Sequence, residues 1–152
     1  MAASARAFVV QARAKFNVRL DVGARRTDGF HPIRSVVAEL AVADEIEFTP
    51  ARAFSVACDD PAIREEANLA YRAATALPVG LPPVRVFIKK RIPMQAGLGG
   101  GSADAAATLR GIASVLSASG VTVGDDALVA AAVRTGSDIA ACLFPGFKLV
   151  EG

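Results

Sequence analysis

The sequence predicts an α+β domain, with helices on one face of a mostly antiparallel sheet. Three observations carry that class. Strand patterns crowd the region 8–57, with a clean period of two where Phe16, Val18, Leu20 and Val22 alternate with Asn17, Arg19 and Asp21. Helical patterns crowd the region after residue 100. A single apolar-basic run, 84–90, sits between them and leads into a glycine-rich loop. Strands first and helices later is the order of an α+β fold, not of repeated βαβ units.

The elements follow in order. A long strand is expected over 8–22, with Phe16, Val18, Leu20 and Val22 on its apolar face. Residues 25–29 form a polar turn closed by Asp28-Gly29, a common turn pair. Further strands are expected over 33–40, 45–49 and 54–57, which together read as a meander. Asp59-Asp60-Pro61 turns the chain. Residues 65–77 read as a helix, with Glu65 and Glu66 in its first turn and Pro78 ending it. The run 84–90 is the strand before the loop. Residues 102–116 are the helix after it, capped by Ser102, with Asp104 adding charge that suits a helix N-terminus. A helix over 124–134 stops at Thr135-Gly136, a short helical segment covers 137–143, and a last strand covers 147–150.

At 152 residues the chain is one domain with a core of useful size. The 53% hydrophobic content owes much to alanine, and no apolar run reaches the ~18–20 residues that cross a bilayer. Met1 to Phe8 lacks the apolar centre of a signal peptide, so a soluble, cytoplasmic protein is expected. The net charge of +2 is too small to argue for nucleic acid, and suits a small anionic substrate. Cys58 and Cys142 have no metal-ligand spacing and read as buried free thiols; no structural metal site is expected.

The informative stretch is Pro93-Met94-Gln95-Ala96-Gly97-Leu98-Gly99-Gly100-Gly101-Ser102-Ala103-Asp104, with four glycines in five residues. In regular structure each glycine costs roughly 0.5–1 kcal/mol relative to alanine, and a packing turn needs only one or two. A glycine loop between a strand and a helix N-terminus lets backbone N–H groups close around phosphate. The lysine-bearing P-loop pattern is absent, and the third glycine of a dinucleotide fingerprint is missing. Phosphoryl transfer would need a cation and a base as well. Lys15 and the Asp138 of Gly136-Ser137-Asp138 are available, although each read alone is an ordinary strand or cap residue, and His31 an ordinary turn residue.

Taken together, Ala14-Lys15-Phe16-Asn17-Val18, Arg26-Thr27-Asp28-Gly29-Phe30-His31, Asn68-Leu69, the stretch 93–107 and Gly136-Ser137-Asp138 resemble the GHMP kinase superfamily, in order and spacing. The resemblance implies the N-terminal domain fold of that superfamily, which also occurs in ribosomal protein S5. It implies that Pro93, Gly97, Leu98, Gly99, Gly100, Gly101 and Ser102 wrap the phosphates of ATP–Mg²⁺, with Asn68 and Lys89 or Lys90 near the adenosine. It implies that Asp138 takes the proton from a substrate hydroxyl, with Lys15 keeping that carboxylate ionised or polarising the hydroxyl. The segment Asp28-Gly29-Phe30-His31 resembles the branch that acts on a cytidine diphosphate-linked methylerythritol in isoprenoid synthesis. There Phe30 and His31 would hold the cytosine, with Asn17 close by. Arg13, Phe30, Ala140 and Pro145 depart from the superfamily's usual residues. Members are nearly twice as long, so a C-terminal domain is expected to be absent from this chain, leaving weak or no turnover. Another small-molecule GHMP kinase, a nucleotide-binding fragment without turnover, or an RNA-binding module are the alternatives.

Overall fold

The computed structural model describes residues 6–151; Met1–Ala5 of the N-terminal reading and Gly152 lie outside the described residues. The chain begins with a hairpin of two long strands, β1 (Phe8–Val22) and β2 (Ile33–Pro50). A short strand β3 (Ser55–Cys58), a 3-10 turn (Glu65–Ala67) and helix α1 (Leu69–Thr75) follow. Strand β4 (Val84–Lys89), helices α2 (Gly100–Ala118), α3 (Asp125–Thr135) and α4 (Ser137–Cys142), and strand β5 (Lys148–Glu151) complete it. The sheet order is β1-β2-β4-β3, and β5 pairs with the first part of β2. Among the described residues only the β3–β4 pair is parallel. The α+β class and the mostly antiparallel sheet are as expected.

The period of two on β2 and β4 explains the core. Ile46 and Phe48 of β2, with Val84, Val86 and Ile88 of β4, all face the helices and are almost fully buried. The other face carries Glu45, Glu47, Arg85 and Lys89. Helix α2 lies centrally on the buried face, and its Ala103, Ala105, Ala106 and Ala107 allow close approach. At Gly111 the approach is closest: a Cβ there would stand 2.0 Å from Phe48 Cζ. Phe48 in turn stacks on Phe8, its partner across the β1–β2 pair, with ring centroids 4.7 Å apart.

Five expectations need correction. The two strands expected over 33–40 and 45–49 are one continuous β2. The meander does not form, because β3 leaves β2 and pairs beyond β4. The helix expected over 65–77 is interrupted at Asn68, which is extended and caps α1 by accepting from Ala70 N–H at 2.9 Å. The expected apolar face of β1 is broken by register shifts between Arg13 and Lys15 and between Asn17 and Arg19. Phe16 then pairs with Ala38 and Leu20 with Ser35, on opposite faces, and Phe16, Val18, Leu20 and Val22 are each about half exposed. Finally, Cys142 is buried but Cys58 is only half-buried, its Sγ donating to Asp60 O; burial raises the pKa of both thiols. No described helix is long and apolar enough to cross a membrane.

Candidate nucleotide site

The loop between β4 and α2 adopts the conformation its composition requires. Gly97 and Gly99 have φ of 71° and 64°, in the left-handed region. Gln95 shares that region at φ 58° without a glycine's freedom, a local strain of roughly 1–2 kcal/mol. Helix α2 begins at Gly100 with Gly99 as its cap, which has no side chain to serve the first N–H groups. Ser102 is therefore inside the first turn and does not cap the helix. Asp104 lies beyond that turn and is buried, so it does not act as an exposed N-terminal charge. The unserved N–H groups of Gly100, Gly101 and Ser102 are the donors an anion would meet.

Beside the loop lies a cleft of about 500 Å³. Of the residues singled out in the sequence, Asn68, Pro93, Gly97, Leu98, Gly99, Gly100 and Gly101 line it, and Ser102 does not. Ile63, Leu69, Ile92 and Met94 make its walls largely apolar, suited to a flat base as well as to phosphate. Lys89 is misplaced in the sequence reading. It follows the strand's alternation to the other face, where its Nζ holds Glu47 at 2.6 Å, and the adjacent Lys90 lines the cleft.

Lys15 sits under the loop. Its N–H donates to Leu98 O at 2.9 Å, and a Cβ on Gly99 would stand 2.8 Å from Lys15 Cγ. The register shift after Arg13 makes this possible, since Ala14 and Lys15 are consecutive yet both buried. Lys15 Nζ pairs with Asp138 Oδ2 at 3.0 Å, and Asp138, on the short α4, keeps 58% of its side chain exposed. Strand, loop and helix thus bring together three features separated by 123 residues of sequence. Phe30 and His31 lie in the connection between β1 and β2, beyond Val22, the end of β1 about 7 residues or roughly 20 Å along the strand from Lys15. Phe30 is 75% exposed. His31 Nδ1 lies 3.0 Å from Gly23 O, a carbonyl that can only accept, so Nδ1 carries hydrogen and the neutral ring offers Nε2 as an acceptor. Asn17 lies between the two, receiving the Ser35 hydroxyl at 3.1 Å.

The sequence reading missed a buried cluster beneath the loop. Asp44 is fully buried on β2 and accepts from Lys90 Nζ at 2.6 Å, from Ile92 N–H at 2.7 Å and from Arg91 N–H. Lys90 Nζ also donates to Asp104 Oδ2 at 2.7 Å. Burial pushes Asp44 upward, but Lys90 and the two backbone donors hold it below its ordinary value. Burial lifts Asp104 to about 7 against the pull of Lys90, and among the described residues its Oδ1 has no partner. The Lys90 ammonium, despite burial, is held above its ordinary value by the charge of Asp104. A signal existed: Asp44 shares the period-two face of Ile46 and Phe48, and a buried acid needs partners.

Residues 68–146 match the family described as GHMP kinases N terminal domain. The chain belongs to this family. The GHMP domain is 38% identical over 149 residues to 4-diphosphocytidyl-2-C-methyl-D-erythritol kinase of Xanthobacter autotrophicus, covering 93% of this chain and 50% of that protein. It is 40% identical over 146 residues to the kinase of the same name from Moorella thermoacetica, with coverage of 93% and 50%. Its fold superposes on a crystal structure of 4-(cytidine 5'-diphospho)-2C-methyl-D-erythritol kinase with a TM-score of 0.74 and 35% identity, over 95% of this chain and 52% of that one. The homoserine kinase of Cytophaga hutchinsonii shares the fold with a TM-score of 0.65 at 20% identity, over 97% of this chain and 49% of that one. The chain spans about half the length of the relatives it matches.

Proposed function

We propose that this GHMP domain is the nucleotide-binding half of an ATP-dependent kinase that phosphorylates a hydroxyl of 4-diphosphocytidyl-2-C-methyl-D-erythritol. The observation that carries the proposal is the stacking of three features: a left-handed glycine loop at a helix N-terminus, Lys15 beneath it, and Asp138 at 3.0 Å from Lys15 Nζ. ATP fits the donor set, with phosphates on the N–H groups of Gly97 to Ser102 and the base in the apolar cleft beside Asn68 and Lys90. Mg²⁺ bound with ATP would offset charge on the phosphates; among the described residues no group of three or more His, Cys, Asp or Glu could hold a metal. In the transfer, the substrate oxygen bonds to the γ-phosphorus as its bond to the β–γ bridging oxygen breaks. The hydroxyl proton passes to Asp138, and Lys15 offsets the charge that gathers between them. The exposed face of Phe30 and the acceptor Nε2 of His31 suit stacking and bonding to the amino edge of cytosine, with Asn17 on the path back to Lys15. A cytoplasmic location belongs to the same proposal.

Asp138 is mostly solvent-exposed, which favours binding over turnover by these residues alone, since water competes at an open site. Separate calorimetric titrations with Mg²⁺–ATP and with the cytidine ligand test the reading. Both are expected to bind, and His31→Ala is expected to weaken the cytidine ligand at least tenfold while leaving ATP unchanged. Failure of both ligands to bind overturns the proposal. Unchanged cytidine binding by His31→Ala moves the assignment to another GHMP kinase substrate. Rapid phosphorylation by the 152-residue chain alone contradicts weak turnover.

A further inference from the structure

We propose that Asp44 and Asp104, acting through Lys90, are positioning residues that hold both ends of the glycine loop in register for its ligand. The inference rests on the nucleotide reading of the cleft and assigns the part of the molecule that shapes it. Asp44, on the neighbouring strand β2, takes the N–H groups of Arg91 and Ile92 where the chain leaves β4. Its second oxygen takes the Lys90 ammonium. The same ammonium reaches Asp104, on the second turn of α2, where the loop ends. A Cβ on Gly100 would lie 3.4 Å from Lys90 Nζ, so the ammonium sits directly against the loop's last residues. One cation therefore ties loop entry, loop exit and a core strand together.

The cluster is poorly suited to a purely stabilising role. Side-chain exposures are 14%, 0% and 5% for Lys90, Asp44 and Asp104, and burying such ions generally gains little over apolar residues of similar size. Hydrogen bonds to fixed carboxylates are directional, however, and fix a glycine-rich backbone that would otherwise sample many conformations. Preorganised N–H donors bind an anion without first having to be ordered.

Hydrogen exchange of the bonded amides that frame the loop, those of Lys15, Arg91, Ile92 and Ala103, together with Mg²⁺–ATP titration, tests the proposal. Asp104→Leu removes the Lys90 acceptor on α2 and leaves the one on Asp44. It is expected to raise loop exchange and the ATP dissociation constant each at least tenfold, with exchange in β2 and β4 within threefold of wild type. Asp104→Asn keeps an oxygen for Lys90 and is expected to stay within threefold on both readouts. Asp44→Asn retains an oxygen for the backbone N–H groups but turns a donor toward the ammonium, and should loosen the loop as Asp104→Leu does. Should Asp104→Leu not fold, Asp44→Asn decides on the same criteria. Loop exchange unchanged in the variants, or raised equally in loop and core, overturns the proposal. Wild-type protein that fails to bind ATP would overturn the nucleotide reading instead, while loop exchange would still decide the brace.

Discussion

Gly99 is the residue on which most of the site depends. It has positive φ, caps α2 and touches the Lys15 side chain, and no other residue type satisfies all three. Gly99→Ala adds roughly 1–2 kcal/mol of left-handed backbone cost and a methyl against Lys15 Cγ. The expected outcome in calorimetry is at least a tenfold loss of ATP affinity in a protein that still shows a cooperative thermal transition. Asp104 makes a different prediction, one of pH. Its folded pKa of about 7 lies above the ~3.9 of an unfolded aspartate, so the folded state holds the proton more tightly. Stability should therefore fall as pH rises from about 4 through 7. Asp44, with a lowered pKa, acts in the opposite sense, contributing stability that is lost as pH falls through its folded pKa. Lys90 and Asp44 are the charged groups facing Asp104, and both keep their charge across the range from 5 to 8. Thermal midpoints measured over that range should decline in wild type and flatten in Asp104→Asn. A flat wild-type profile would contradict the assignment.

Among the elements, α2 supports both the core and the site. Its alanines and Gly111 set its distance from β2, and its first turn supplies the anion donors. Gly111→Ala would drive a Cβ into the Phe48 ring, and overpacking of this kind costs about 1–3 kcal/mol. A fall of several degrees in the thermal midpoint is expected, with ATP affinity of the folded fraction near wild type. Asn68→Ala removes the cap of α1, worth ~1 kcal/mol, and also a lining residue of the cleft, so it should lower both stability and ATP affinity. Elements were legible in the sequence where period and composition agreed, as for β4, the glycine loop and α2. They were not legible where tertiary contacts decide. The bulges of β1 put apolar residues on both faces and turn Lys15 under the loop. Asn68 splits a continuous helical pattern. Asp104, expected to add charge that suits the helix N-terminus, is instead buried against Lys90.

For the whole molecule, the sheet acts as a frame that brings distant segments to one point. Lys15 comes from the first strand, the loop from the middle of the chain and Asp138 from near its end. Their order along the sequence resembled a known superfamily, but their proximity was not readable from spacing, because it depends on β1 lying beside β2 and on α4 folding back against α2. Phe30 and His31 lie in the connection beyond the paired ends of β1 and β2, a separate part of the sheet frame. On the proposed function, the cleft beside the glycine loop takes a nucleoside triphosphate. Calorimetric titration of Mg²⁺–ATP into the wild-type protein and into Gly99→Ala tests this. One saturable site is expected in the wild type, weakened at least tenfold in the variant. No saturable binding in wild type, or equal affinity in a folded Gly99→Ala, would contradict it.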